Sequence, residues 1–398
     1  MDRSLPAALP QSPISEVSIP DVSIIVPARN EEASLGDCLE SLTAQTGVAF
    51  EIIVVDDGST DRTHEIAQSF AGVRLISAGP LPAGWTGKNN AVVAGTREAT
   101  GGWFLFTDAD TVHSLGSLAR ALAEARENKA EMLSYSPEQI AVTFWEMAVL
   151  PVVFAELARQ YPPRKVCDPA SPLAAANGQY ILIRRETYDA VGGHTAIADN
   201  LLEDVALARA VKGAGRSLRF RYAADAVRTR MYRSFRQLRE GWTKNLALLF
   251  PNPGWLAVRR LLWWGIACGF AFFPVIAWAA AKVAERFGFV SAEQMFFQWS
   301  GLIRSAWWSA LFLVLAMPLF MRLNRANFTW DMEVLGAVFG MPMFSYLLLR
   351  SKKAQAGGQV SWKGRAYSIG TRREDTPEAT QTRKTTSRIE KQKLRTEN

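Results

Sequence analysis

The sequence is poor in the residues that staple or metallate small folds. Its three cysteines, Cys38, Cys167 and Cys268, lie far apart with no CxxC pair, which argues against a disulfide framework or a cysteine zinc site and fits a reducing compartment. It has only three histidines, none at metal-ligand spacing. His113 and His194 flank acidic motifs, but a lone loop histidine is expected to be solvated, and neither is assigned a role. The first twenty residues lack an apolar segment, so no signal peptide is expected and the N-terminus is expected to start in the cytoplasm. Net charge is missing from most of the chain. The formal charge is +7, yet Lys352 to Asn398 carries twelve Lys and Arg against five Asp and Glu, leaving 33 of each sign before it. A neutral body argues against a nucleic-acid partner, and a basic tail suits an anionic membrane surface.

What is present is unevenly spread. The 398 residues exceed one typical domain, and the aromatic-rich apolar runs collect after Trp255. Before that point, apolar runs without period-two alternation are each followed by a helical pattern: "VSIIVPA" then "NEEASLGDCLESLTAQ", "EIIVVDDGSTD" then "RTHEIAQSF", "GVRLISA" then "AVVAGTREA", and "WFLFTDAD". This pattern predicts an α/β fold with a mainly parallel sheet covered on both faces, whose ligands bind beyond the carboxyl ends of the strands. Asp56, Asp57, Asp108 and Asp110 fall at such ends. Asp108 and Asp110, one residue apart where a strand turns, can converge on a cation that needs hard oxygen ligands, Mg²⁺ or Mn²⁺, although they could instead cap a helix. Asp56 and Asp57 precede Gly58, which permits a tight turn, and could accept hydrogen bonds from a base or ribose; Ser59 or Asp61 would cap the next helix, and Asn30 the helix after the first strand.

Four segments in this order, "VSIIVPARNEEASL", "IIVVDDGSTDRT", "FTDADT" and "LLEDVALARAVKGAG", resemble the family 2 glycosyltransferases over about Val22 to Arg221. Further stretches, "PLPAGWTGKNNA", "VGGHTAIADNLLEDVALARAV", "RMYRSF" and "WKGRAY", look like its membrane-bound branch that glycosylates carotenoids or accompanies hopanoid pathways. The resemblance implies the GT-A fold and an inverting transfer of one sugar from a nucleoside-diphosphate donor. It implies that Asp57 and Asp56 hold base and ribose, with Pro27, Ala28 and Glu31 lining that pocket. Asp110 would be the principal ligand of a divalent cation, and Asp108 would touch ribose or metal. Lys88 would reach the diphosphate or sugar, and Asn177 and Gly178 would face sugar and acceptor. Asp204 would be the base that takes the acceptor proton, supported by Glu203; both also suit the first turn of a helix.

The expected organisation is a flexible 1–20, a catalytic domain over 21–227, an interfacial region over 228–257 built on the basic and aromatic "RTRMYRSFRQLREGWTKN", membrane helices over 258–350, and a basic tail over 351–398, disordered apart from "SWKGRAYS". Leu261 to Ala281 runs uncharged for a bilayer's width, and Trp307 to Met321 and Val334 to Leu349 are shorter candidates. An even number of crossings would keep the basic tail on the cytoplasmic side with the N-terminal domain, making this a multi-pass protein of the inner membrane; a fourth element would then lie in "FGFVSAEQMFFQWSGLI", or one short segment would be re-entrant. Rival readings are a processive polysaccharide synthase, whose QxxRW motif "QLREGW" does not reproduce, a polyprenyl-phosphate sugar transferase, and a non-catalytic nucleotide-sugar receptor, which retention of Asp57, Asp110 and Asp204 disfavours.

Overall fold

The computed structural model describes residues 20–288, 294, 300, 304, 306–311, 314 and 328–368 except 363. Two compact units result: Met1–Ile140 with Tyr161–Arg230, and Ala141–Gln160 with Met231–Asn398. Most of Trp307 to Met321, the segment proposed to hide a fourth element and the tail beyond 368 lie outside the described residues.

The first unit carries strands β1 (Val22–Ala28), β2 (Phe50–Asp56), β3 (Val73–Ser77), β4 (Trp103–Phe106), β5 (Thr111–His113), β6 (Met132–Ser136), β7 (Glu138–Gln139), β8 (Ile181–Arg184), β9 (Leu218–Tyr222) and β10 (Val227–Thr229). Seven of them form one sheet in the order β3-β2-β1-β4-β8-β6-β9. Pairing is parallel from β3 through β4 and between β6 and β9, and antiparallel where β8 meets β4 and β6. The expected mixed, mainly parallel sheet is therefore present. Helices α1 (Leu35–Thr43), α2 (Thr63–Ser69), α3 (Gly87–Glu98) and α4 (Ser117–Glu127) occupy the connections among the first six strands. Residues on both faces of the central strands are sealed: Ile24, Ile25 and Ile53 are fully buried, each worth about 1.5–3 kcal/mol of transfer free energy. Continuous apolar runs are the sequence form of such strands because neither face meets water.

The second unit holds α5 (Phe144–Gln160), α9 (Phe235–Asn245) and α10 (Pro253–Arg286), whereas α6 (Pro163–Cys167), α7 (Arg185–Ala190) and α8 (Glu203–Gly213) belong to the first. The assignment of α5 departs from an uninterrupted catalytic segment over 21–227. Its Val149, Val152 and Val153 share a core with Leu238, Trp242 and Phe344. The expected helix from Arg228 starts only at Phe235, capped by Ser234 Oγ, because residues 227–229 pair as β10. Its apolar face is not presented outward either, since Leu238 and Trp242 are buried in this unit's core. Leu261 to Ala281 lies within the 34-residue helix α10.

The helix Trp330–Ala356 is, among the described residues, the one long and apolar enough to cross a membrane by length and composition, with mean hydropathy 1.6 over its best window. It contains a π turn, Gly336–Gly340. A Cβ built on Gly340 would lie 1.9 Å from the Ala148 carbonyl oxygen, so the two backbones approach as only glycine permits. "SWKGRAYS" forms most of a hairpin, with Gln359–Trp362 antiparallel to Arg365–Ser368.

Candidate active site

Beyond the carboxyl ends of β1 and β2 two loops are zipped together. Asn30 adopts a left-handed backbone (φ 52°). Its N–H donates to Ser59 Oγ (3.1 Å) and its Oδ1 accepts from Thr60 N–H (2.8 Å). It does not cap its own helix as the sequence suggested; its short side chain tolerates the left-handed region and serves the neighbouring loop. Glu31 N–H donates to Thr63 Oγ1 (2.7 Å), and Ser34 Oγ donates to the Glu31 carboxylate (3.1 Å). Asp61 Oδ1 accepts from Thr63 N–H (3.0 Å) from one residue before the N-cap, which is Arg62 and not Ser59 or Asp61 as expected. Asp56 accepts from Ser59 N–H (2.9 Å) with His64 Nδ1 at 3.4 Å, shaping its own turn, while Asp57 is buried and its N–H donates to the Ala28 carbonyl. Ala28 itself is part of the hydrophobic core. Arg29, which the sequence did not single out, donates through Nη1 to the carbonyls of Asp57 and Gly58.

The strand "WFLF" ends at Phe106, and Asp108 and Asp110 sit on the turn that joins β4 to β5. Both side chains stay partly exposed while Ala109 between them is buried. Thr111 Oγ1 donates to the Asp108 carbonyl (2.7 Å) and Thr229 Oγ1 to the Asp110 carbonyl (3.1 Å). The two acids thus share one turn braced at both carbonyls.

Lys88 occupies the first turn of α3, not a loop. Thr86 caps this helix, and Asn89 Nδ2 fastens it to the Ile197, Ala198 and Asn200 carbonyls, a tie the sequence did not reveal. Lys88 Nζ bridges Asp108 Oδ1 and Glu203 Oε1, both at 2.7 Å. Burial alone would lower its pKa, but the two carboxylates outweigh burial and hold the ammonium well above its ordinary value. It is no solvated surface lysine. At the start of α8, Asp204 accepts from Gly178 N–H (3.0 Å) and from its neighbour Val205 N–H (2.7 Å). Burial, then the charge of Glu203, pushes its carboxyl up to about 6, against the opposing pull of Lys88 and the two N–H groups. A Cβ on Gly178 would sit 2.9 Å from Lys88 Nζ and 3.1 Å from Glu203 Oε1, so this glycine makes room for the bridge. Asn177 Oδ1 accepts from Gln179 N–H (3.0 Å), forming the turn before β8.

One cavity is lined by Pro27, Lys88, Asp108, Gly178, His194 and Glu203. His194 is 2% exposed, with the Tyr188 hydroxyl 3.1 Å from Nδ1, and burial lowers its pKa to about 4. The expectation of a solvated loop histidine fails for His113 too, which is 6% exposed. Local sequence carries no signal for either burial, which depends on strands brought together from elsewhere in the chain.

Residues 23–192 match the family model described as Glycosyl transferase family 2. A curated relative, the 4,4'-diaponeurosporenoate glycosyltransferase of Staphylococcus aureus strain USA300, is 30% identical over 363 residues, covering 87% of this chain and 88% of that protein. The chain belongs to glycosyl transferase family 2. As such it is a glycosyltransferase, of the kind that includes carotenoid-associated enzymes. Among solved structures, the Pyrobaculum calidifontis mannosyltransferase PcManGT in complex with GDP-Man and Mn²⁺ aligns over 85% of this chain and 88% of its own, with TM-score 0.46 and 17% identity. S. aureus TarS 1–349 in complex with UDP-GlcNAc aligns over 88% of this chain and 97% of its own, with TM-score 0.39 and 14% identity.

The residues present fit a divalent cation of the Mg²⁺ or Mn²⁺ kind. Asp108 and Asp110 offer hard oxygens on one turn, and among the described residues no three His, Cys, Asp or Glu converge into a protein-only cage. Such ions are commonly held by one or two carboxylates with substrate phosphates completing the shell.

Proposed function

We propose that this glycosyltransferase transfers one hexose, with inversion, from a nucleoside-diphosphate sugar, UDP-linked in our reading, to a hydroxyl or carboxyl group of a membrane lipid at the cytoplasmic face. The observation that carries the proposal is the Lys88 bridge, which ties Asp108 beyond β4 to Glu203 beside Asp204. Lys88, Asp108 and Glu203 line one cavity, where in this reading donor and acceptor would meet.

In this reading Asp57, Asp56 and Glu31 receive the base and ribose at the β1–β2 edge, beside Pro27 and Ala28. Asp110 and Asp108 would hold the cation, which when bound neutralises charge on the leaving diphosphate. Lys88 supplies a second positive charge, fixed before the reaction begins, where the leaving group's charge develops. Asn177 shapes the turn that presents Gly178, whose N–H holds Asp204. The Asp204 carboxylate takes the proton of an acceptor hydroxyl as its oxygen attacks the anomeric carbon from the face opposite the nucleotide. The new carbon–oxygen bond forms as the bond to the diphosphate breaks. Glu203 keeps Lys88 placed between the two sides. The lipid acceptor accords with the carotenoid-type relative, with exposed Trp255, Trp263 and Trp278 on α10, and with the apolar helix Trp330–Ala356. Multi-pass residence in the inner membrane, with the catalytic unit cytoplasmic, is part of the same proposal.

The decisive experiment incubates the detergent-purified chain with labelled UDP- and GDP-sugars, Mn²⁺ and a lipid extract. A metal-dependent glycolipid product is expected, and where the acceptor is a hydroxyl it is lost in Asp204→Asn. No product from any donor would overturn the reading.

A further inference from the structure

Beneath the turn that carries Asp108 and Asp110 lies a set of buried polar groups that the transfer itself does not use, with the Cys38 thiol at its margin, 3.9 Å from Thr111 Oγ1 and 3.8 Å from the Asp108 carbonyl. Thr107 Oγ1, Thr111 Oγ1 and His113 Nε2 form a triangle: the hydroxyls are 2.9 Å apart and each is 3.1 Å from Nε2. Each hydroxyl also reaches a backbone carbonyl, Thr107 that of Gln179 (2.9 Å) and Thr111 that of Asp108 (2.7 Å). A carbonyl oxygen only accepts, and a hydroxyl has one proton to give. Pairing both carbonyls therefore spends both hydroxyl protons. The triangle is then left with hydroxyl lone pairs facing Nε2, and a proton on Nε2 lets both short hydroxyl-to-carbonyl bonds stand. With the proton on Nδ1 instead, one hydroxyl would have to turn toward Nε2: Thr107 would release the Gln179 carbonyl, at a cost of about 1–3 kcal/mol, whereas Thr111 would give up its 2.7 Å bond to the Asp108 carbonyl and leave that oxygen the longer contacts from Thr111 N–H (3.3 Å) and Cys38 Sγ (3.8 Å).

We propose that His113 is a positioning residue of the donor site, a neutral imidazole whose Nε2–H is shared by the Thr107 and Thr111 hydroxyls and so locks the Asp108–Asp110 turn to Gln179. Burial lowers the His113 pKa to about 3, so the ring stays neutral across the physiological range. The His113 backbone N–H donates to Ser41 Oγ (3.0 Å), and the ring packs beside Tyr180 with centroids 5.6 Å apart. A second strut meets the same glutamine: Gln179 Nε2 donates to Thr229 Oγ1 (3.2 Å), which donates to the Asp110 carbonyl. Both ends of the acidic turn are thus referred to one residue, and the residue before it, Gly178, holds Asp204. The lock sets donor-side carboxylates and acceptor-side base in register. It rests on the proposed reading of Asp108 and Asp110 as donor-site residues.

The chain has only three histidines, so nitrogen-15 NMR of the full-length protein in detergent, labelled at histidine and assigned with His113→Gln, reads the tautomer directly. The expected result is an Nε2–H imidazole that does not titrate between about pH 5 and 8; an Nδ1–H signal, or titration in that range, overturns the proposal whether or not the protein proves to be a transferase. Binding of UDP or GDP with Mn²⁺, measured by calorimetry without acceptor, supplies the second arm. His113→Phe, which fills the space without a donor, is expected to weaken binding roughly 10- to 100-fold, the usual consequence of losing an outer-shell partner, and His113→Gln, which restores an N–H, to recover most of it. Equal losses in both variants would reduce His113 to packing, and parent-like binding in both would remove it from the site; either result overturns the proposal. A parent chain that binds neither nucleotide overturns the donor-site reading itself, while the NMR arm still decides the lock.

Discussion

The two units of this chain treat apolar surface in opposite ways. In the sheet unit the large aliphatic residues of β1, β2 and β4 are almost entirely hidden, and the exposed groups at the strand ends are acids and their partners. In the helical unit Trp255, Trp263, Trp278, Trp308 and Phe287 are each more than half exposed. A protein surrounded only by water rarely leaves so many large apolar side chains uncovered. One unit is folded by excluding water from both faces of a sheet so that charge can be organised at its edge. The other keeps a buried seam, Gly336 and Gly340 against α5, and leaves several large apolar side chains exposed among the described residues. The charged site and the exposed apolar side chains therefore lie in different units, and substitutions in one unit should leave the other's property intact.

The largest test of that separation is Asp204→Asn. With a hydroxyl acceptor, kcat/KM should fall about 10²- to 10⁴-fold, the usual worth of a positioned base, while melting temperature and lipid association stay near the parent's. A carboxylate acceptor is already ionised and needs no proton removed, so the same variant should lose far less with it. Comparing the two acceptor classes identifies the true one, and parent-like rates with both would end the role of Asp204 as base.

Lys88→Met comes next. It removes the ammonium between Asp108 and Glu203, leaving two carboxylates facing one another, and the turnover rate should fall on the order of 10²-fold through lost stabilisation of the leaving diphosphate. A rate within twofold of the parent would show that the bridge is structural only.

The pH profile is a smaller effect. Burial and Glu203 raise the Asp204 carboxyl to about 6, and a base works only when ionised. On a hydroxyl acceptor kcat/KM should therefore rise about tenfold per pH unit below that value and level off above it. An acid limb centred near 4 would contradict the assigned environment.

Smallest in catalysis but aimed at the other unit is Gly340→Ala. Its Cβ would meet the Ala148 carbonyl, and overpacking of this kind costs about 1–3 kcal/mol. The detergent-solubilised protein should melt several degrees lower while nucleotide affinity is unchanged. An unshifted melting temperature would mean that the seam does not hold this unit together.

Much of the first unit was legible because a strand buried on both faces must be written as a contiguous apolar run, and the residues that end it must be those that turn the chain. "VSIIVPA", "EIIVV" and "WFLF" announced β1, β2 and β4, and the acids after them fell at the carboxyl ends of those strands. The departures were of another kind. Asn30 looked like a helix cap and instead pairs with Thr60; α5 looked like part of the catalytic segment and packs with the helical unit; His113 and His194 looked solvated and are buried. In each case the residue type allowed several partners, and local pattern does not rank them.

The sequence by itself determined the alternation of strand and helix and the order of the acidic motifs, because hydrophobic period and turn chemistry act over a few neighbouring residues. Only the tertiary structure decided that Lys88 stands between Asp108 and Glu203, that Gly178 makes room for it, and that His113 lies under the acidic turn. Those contacts join residues from different strands and helices, and their energies exist only once the sheet has brought the strand ends together.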